Sequence, residues 1–169
     1  HKGLKGEAVY CLQDSFPLKD GSTCWQGWEI LPWYSNHEEI SGIFIFVTDR
    51  TEIVQSKEQL NFALEAAQIG LWERDLITMV DDRSDITKRL LGDSKDMPNS
   101  WAAFEKRVYA EDLPLVKEAE LLAAQTNEPF SIQFRVYAHD NSLRWLCSRG
   151  ETVFSEEGTA IKLRGAVFD

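Results

Sequence analysis

Residues 140–169 read DNSLRWLCSRGETVFSEEGTAIKLRGAVFD, and residues 20–49 read DGSTCWQGWEILPWYSNHEEISGIFIFVTD. The two stretches align without a gap at an offset of 120 positions, with identities at Asp20/Asp140, Ser22/Ser142, Trp25/Trp145, Ser35/Ser155, Val47/Val167 and Asp49/Asp169. Few identities carry little weight by number. The order carries it: a polar turn, a Trp, two strand-like runs around a second polar turn, and a closing Asp. Repeats of this kind are sought first because they decide the architecture.

Each copy is an antiparallel meander in outline. Lys19-Asp20-Gly21-Ser22 supplies the Asp and Gly that tight turns require. Cys24 to Trp33 is rich in Trp and β-preferring residues, and Pro32 sits near its end, where a lost ladder donor costs least. The turn from Ser35 to Glu39, with His37 in it, leads to Ile43-Phe44-Ile45-Phe46-Val47, an apolar run of strand length. Before the first copy, Ala8-Val9-Tyr10 reads as a short strand followed by a polar stretch.

Between the copies the character changes. Thr51 to about Gln68 is free of Gly and Pro and rich in helix formers, with Thr51 as expected N-cap and Gly70 as terminator. Ile53, Lys57, Leu60, Leu64 and Ala67 have the 4-3-4-3 spacing of a coiled-coil seam, equally suited to a short amphipathic helix. Leu71 to Leu76 alternates as a half-buried strand, and Thr78 to Asp82 is a weaker second one. A short helix is expected over residues 86–91, with Asp85 as cap and Gly92 as stop, and another opens at Ser100, placing Trp101, Phe104 and Val108 on one face. Glu111-Asp112-Leu113-Pro114 opens the longest helix of this half, where Pro in the first turn loses no helical hydrogen bond and the acids suit the positive end of the dipole. Phe130, Ile132, Phe134 and Val136 then alternate with polar residues, a strand with one apolar face.

A net charge of −10 argues against nucleic-acid or anionic-membrane contact, since both need a clustered positive field. Cys11, Cys24 and Cys147 are too few for a disulfide framework and lack metal-ligand spacing, which fits a reducing compartment. No apolar run reaches membrane-spanning length, and no signal-peptide pattern opens the chain. His1-Lys2-Gly3 carries no initiator Met, so the chain is read as an excerpt of a longer protein.

Consecutive landmarks in the second half resemble the PAS family, the sensor modules of bacterial signalling proteins: Trp72-Glu73-Arg74-Asp75-Leu76, Leu91-Gly92, Val108-Tyr109-Ala110-Glu111-Asp112, Pro129-Phe130, Phe134-Arg135-Val136 and Asp140 to Trp145. Residues 20–29, Pro32-Trp33 and residues 40–51 are similar to the C-terminal half of a PAS domain of another subfamily. Two positions depart from the pattern. Tyr109-Ala110 stands where the family often has His-Pro, and Arg50 replaces an apolar residue in the closing Asp-x-Thr.

The resemblance implies an α+β fold, a five-stranded antiparallel sheet with short helices on one face and a small cavity. It implies one intact PAS domain with its PAC motif at 70–169, a linker helix at 52–69, and at 1–51 a three-stranded half-domain. It further implies a sensor or signal-relay role in a histidine kinase or diguanylate cyclase whose output domain lies elsewhere, a homodimer, and a cytoplasmic place, including the cytoplasmic part of an anchored receptor. The competing reading is a ligand-free dimerisation module that only sets the register of two chains.

Candidate pocket-lining residues are Trp72, Phe104, Phe130, Ile132, Phe134, Trp145, Leu163 and Val167, which also suit a filled core. The signal-exit residues are Asp49, Thr51 and Asp169. No flavin motif surrounds the cysteines, and residues 113–125 contain no His for haem, so no cofactor is expected, although a small ligand is compatible. No metal site is expected, since His1, His37 and His139 fall at the terminus or in turns, and Asp81-Asp82 and Glu156-Glu157 read as solvated turns. Catalysis is not expected for want of convergent polar groups.

Overall fold

A computed structural model describes residues 6–35, 39–93, 98–138 and 140–169. The three histidines singled out above, His1, His37 and His139, lie outside the described residues. The chain divides into two compact units after Phe62.

In the first unit, β1 (Val9–Pro17), β2 (Thr23–Tyr34) and β3 (Ile40–Asp49) form an antiparallel sheet in that order. The first strand is longer than the sequence suggests, continuing past an irregularity between Cys11 and Asp14. Helix α1 (Thr51–Ala67) follows. Thr51 does not cap it: Asp49 Oδ1 accepts the Thr51 N–H at 2.8 Å, and the Thr51 hydroxyl accepts the Trp25 N–H at 2.9 Å instead. The helix does not end on Gly70 either. Gln68 takes the left-handed conformation at φ 52°, and Ile69 N–H closes onto Leu64 O at 3.0 Å. Gly70 serves close packing, because a Cβ there would collide with the Thr87 backbone.

The second unit contains β4 (Gly70–Asp75), β5 (Asp81–Arg83), α2 (Asp85–Leu91), α3 (Trp101–Glu105), α4 (Leu113–Thr126), β6 (Phe130–Tyr137), β7 (Leu143–Phe154) and β8 (Ala160–Phe168). Its strands form one antiparallel sheet in the order β5-β4-β8-β7-β6. Thr78 and Met79 belong to a turn rather than to β5. Asp75 Oδ1 accepts the Ile77 and Thr78 N–H groups, and Met79 adopts φ 57°. The cap of α2 is Ser84, whose Oγ accepts the Thr87 N–H, and not Asp85. Gly92, in the left-handed region, closes that helix.

The repeat is physical as well as textual. Asp20 and Asp140 each accept the N–H and Oγ of the serine two residues on, and Gly21 and Asn141 take the same positive-φ place. Register shifts fall at Trp33/Tyr34 and at Val153/Phe154, again 120 positions apart. Ser35 and Ser155 each donate the backbone N–H to the carbonyl four residues on, Glu39 O and Thr159 O.

Strand alternation sets the faces of the larger sheet. Trp72, Arg74, Phe134, Val136, Leu146, Ser148, Leu163 and Val167 point inward, where Leu91, Val108 and Val116 from the helical layer complete the core.

A buried ionic cluster beneath the roof helix

Beneath α4 the core leaves a cavity of about 40 Å³. A water molecule claims roughly 30 Å³ in the liquid and fits a smaller void when polar partners are present, so this space suits one or two waters. Its apolar wall includes Trp72, Phe104, Val116, Phe130, Ile132, Phe134 and Val167. Phe104 meets Phe134 edge-on at 5.9 Å, and the Trp72 and Phe130 rings lie 6.2 Å apart. The Trp72 indole N–H donates to Ser148 Oγ at 3.2 Å.

The remaining expected residues lie elsewhere. Leu163 is buried on the inner face opposite Arg74, off the cavity wall. Trp145 is 57% exposed, because alternation along β7 sends Leu146 inward and Trp145 to the outer face beside Arg135. Asp49 and Thr51 meet at the start of α1, and Asp169 is the last residue described.

The polar side of the wall was not anticipated. Arg74, Asp81, Arg83, Thr87 and Glu120 all border the cavity. Asp81, expected in a solvated turn with Asp82, is 4% exposed: β5 sends Asp81 and Arg83 inward and leaves Asp82 outside. Asp81 bridges two guanidiniums, with Arg74 Nε donating to Oδ1 at 2.7 Å and Arg83 Nη2 to Oδ2 at 2.6 Å. Arg74 Nη1 donates to Glu120 Oε2 at 2.6 Å, and Arg83 Nη1 to Asp93 Oδ2 at 3.1 Å. The Arg74 guanidinium stacks over Trp101 with its carbon 3.8 Å from the ring centre. Convergent polar groups therefore exist, contrary to the expectation from sequence.

Burial pushes the Glu120 carboxyl above its ordinary value of 4.5. Arg74 opposes that shift, and the negative charge of Asp81 adds to it. Glu120 is thus a carboxyl for which desolvation outweighs its partner. The signals that could have found the cluster are modest: Arg74 follows Trp72 at strand spacing, and Glu120 follows Val116 at helical spacing.

Among the described residues there is no group of three or more His, Cys, Asp and Glu placed to hold a metal, and no helix is long and apolar enough to cross a membrane.

Comparison with known proteins adds family context to this geometry. The family described as the PAS fold matches residues 81–167. Sensor protein FixL of Bradyrhizobium diazoefficiens is 31% identical over 112 residues, 66% of this chain and 22% of its own length. A blue-light-activated histidine kinase of Brucella ovis is 31% identical over 106 residues, 62% of this chain and 21% of its own. The chain thus spans about a fifth of the length of these curated relatives. A sensory box histidine kinase/response regulator from Burkholderia thailandensis superposes with a TM-score of 0.58 at 20% identity, covering 66% of this chain and 83% of that one. The N-terminal domain of a diguanylate cyclase with PAS/PAC sensor from Marinobacter aquaeolei gives 0.55 at 20% identity, covering 60% and 94%. At that identity the two structures speak to the fold alone.

Proposed function

The chain belongs to the PAS family of sensor modules, and from that membership we propose that residues 70–169 form one intact sensor domain, that 52–69 link it to a preceding PAS half-domain at 1–51, and that the cavity beneath α4 is its sensory site. The observation that carries this reading is the coexistence of an apolar wall with four ionisable side chains, Arg74, Asp81, Arg83 and Glu120, at one small void. A core built only for packing gains nothing from such groups, since replacing buried ion pairs by apolar side chains is often neutral or stabilising. In this reading the cluster serves sensing rather than stability.

The module would pass a change at the cavity through its sheet and α1 to an output domain elsewhere in the polypeptide, a histidine kinase as in the Brucella ovis relative or a diguanylate cyclase. Support for a paired, homodimeric arrangement comes from the α1 seam, where Ile53, Lys57 and Leu60 are exposed. A cytoplasmic place suits the free thiols of Cys11, Cys24 and Cys147.

Haem and flavin, the cofactors the family resemblance suggests, do not fit. A space of about 40 Å³ is far below the roughly 300 Å³ at which cofactor sites begin. The α4 side of the wall offers Val116 and Glu120, and no His or Cys lines the cavity among the described residues.

Thermal denaturation with a panel of small metabolites, each run at several pH values, tests the reading. The wild-type Tm is expected to rise by several degrees with one condition, and a variant with the void filled, Ile132→Phe, is expected to lose that response. An unchanged response in the filled variant would move the sensory site elsewhere. No response in either protein would favour the ligand-free dimerisation module.

A further inference from the structure

We propose that Glu120 and its partners form a proton-binding site that couples pH to the seating of α4 over the cavity. Charge counting selects the ligand. Two guanidiniums, Arg74 and Arg83, face three carboxylates, Asp81, Asp93 and Glu120, so the fully ionised cluster carries one excess negative charge. An anion would deepen that excess, while a single proton cancels it. The space of about 40 Å³ suits one or two waters as it stands, and a proton needs no further room.

Geometry selects the responding element. Among the described residues, Arg74–Glu120 is the one ion pair joining a residue of α4 to the sheet, and the other ion pair of this helix, Lys117 with Glu105, runs to α3. Among the described residues, Arg74, Asp81 and Arg83 are the charges that the sheet presents to the cavity: β6, β7 and β8 present Phe130, Ile132, Phe134, Ser148 and Val167, and α2 presents Thr87 and Leu91. The side chain is 13% exposed, so a small outward movement of α4 would hydrate it.

The direction follows from linkage. Burial raises the carboxyl's affinity for a proton above that of a hydrated glutamate. The seated state therefore binds the proton more tightly than any state in which Glu120 reaches water. Acid favours seating, and raising the pH through the raised value favours release of α4. The proton comes from solvent and adds to a Glu120 oxygen, taking the carboxylate from −1 to 0.

This proposal rests on the reading of the cavity as the sensory site, and amide hydrogen exchange of the 169-residue chain separates the two. Protection of amides 116–123, expressed relative to intrinsic exchange, is followed from about pH 4 to pH 8.5, spanning ordinary and strongly buried glutamates. Protection is expected to fall as pH rises, on the order of tenfold for each unit by which seated and released affinities differ. Glu120→Gln is expected to hold the protected level throughout. Flat protection in the wild type, or an unaltered pH dependence in Glu120→Gln, overturns the proton site while leaving the sensory reading to its own binding test. Carbon NMR titration of the wild-type Glu120 carboxyl is independent of how the variant folds, and an ordinary titration near 4.5 likewise overturns the proposal.

Discussion

Arg74 and Glu120 share a 2.6 Å hydrogen bond, yet they stand unequally in the fold. Arg74 also supports Asp81 and stacks on Trp101, so its removal leaves Asp81 short of one cation and Glu120 without any. Loss of one member of a buried ion network typically costs about 3–5 kcal/mol. Glu120→Gln keeps the shape and removes a carboxylate that burial disfavours. Urea denaturation near neutral pH is therefore expected to show a loss of about 3–5 kcal/mol for Arg74→Met and a change within about 1 kcal/mol for Glu120→Gln. Losses of equal size would mean that the ion pair itself, and not the protection of Asp81, holds this region. These charges escaped the sequence for a physical reason. Arg74 meets Asp81 seven positions away across a turn and Glu120 forty-six positions away across the core, and no local pattern encodes either meeting.

The start and the middle of α4 are expected to respond oppositely to pH. Asp112 stands at the N-cap position but makes no cap bond. Its Oδ2 accepts the Arg135 backbone N–H at 2.7 Å and Nε at 2.9 Å, and its Oδ1 accepts Nη2 at 2.7 Å, pinning the start of the helix to β6. The Arg135 side chain holds the Asp112 carboxyl below the ordinary aspartate value of 3.8. A carboxyl lowered by folding contributes stability that is complete above its unfolded value and lost as pH falls through the folded one. Asp112→Asn is therefore expected to cost about 1–3 kcal/mol near neutral pH, with the gap to wild type closing between about pH 5 and pH 2. Thermal melts across that range check it, and a gap independent of pH would show that Asp112 acts through its shape alone. The acidic start and Pro114 were legible in the sequence as a helix N-terminus, as were the alternation of β6 and the repeated hairpins. The use of Asp112 was not, because its partner lies twenty-three positions on. β5 was legible only in outline, as a strand over 78–82 that runs Asp81–Arg83 instead, since three residues are too few to show a period.

At the scale of the molecule, the two hairpin copies differ in what surrounds them. In the second unit β8 has β4 on one edge and β7 on the other, and Val167 is 3% exposed on the inner face. Its counterpart Val47 in β3 is 57% exposed, β3 is an edge strand of its sheet, and neighbouring Phe44, Ile45 and Phe46 are exposed too. Equivalent strands with equivalent register carry the same inward pattern, so the difference lies in the cover. An apolar edge strand of ten residues invites pairing with another chain. The partner expected in solution is the same edge of a second copy, which would pair β3 with β3. Light scattering is then expected to give a dimer for the 169-residue chain and a folded monomer for residues 63–169. A monomeric full chain would remove β3 as an interface, and a dimeric 63–169 fragment would place the interface in the second unit. Both outcomes would break the link between the exposed strand and the symmetry through which an output domain could be driven.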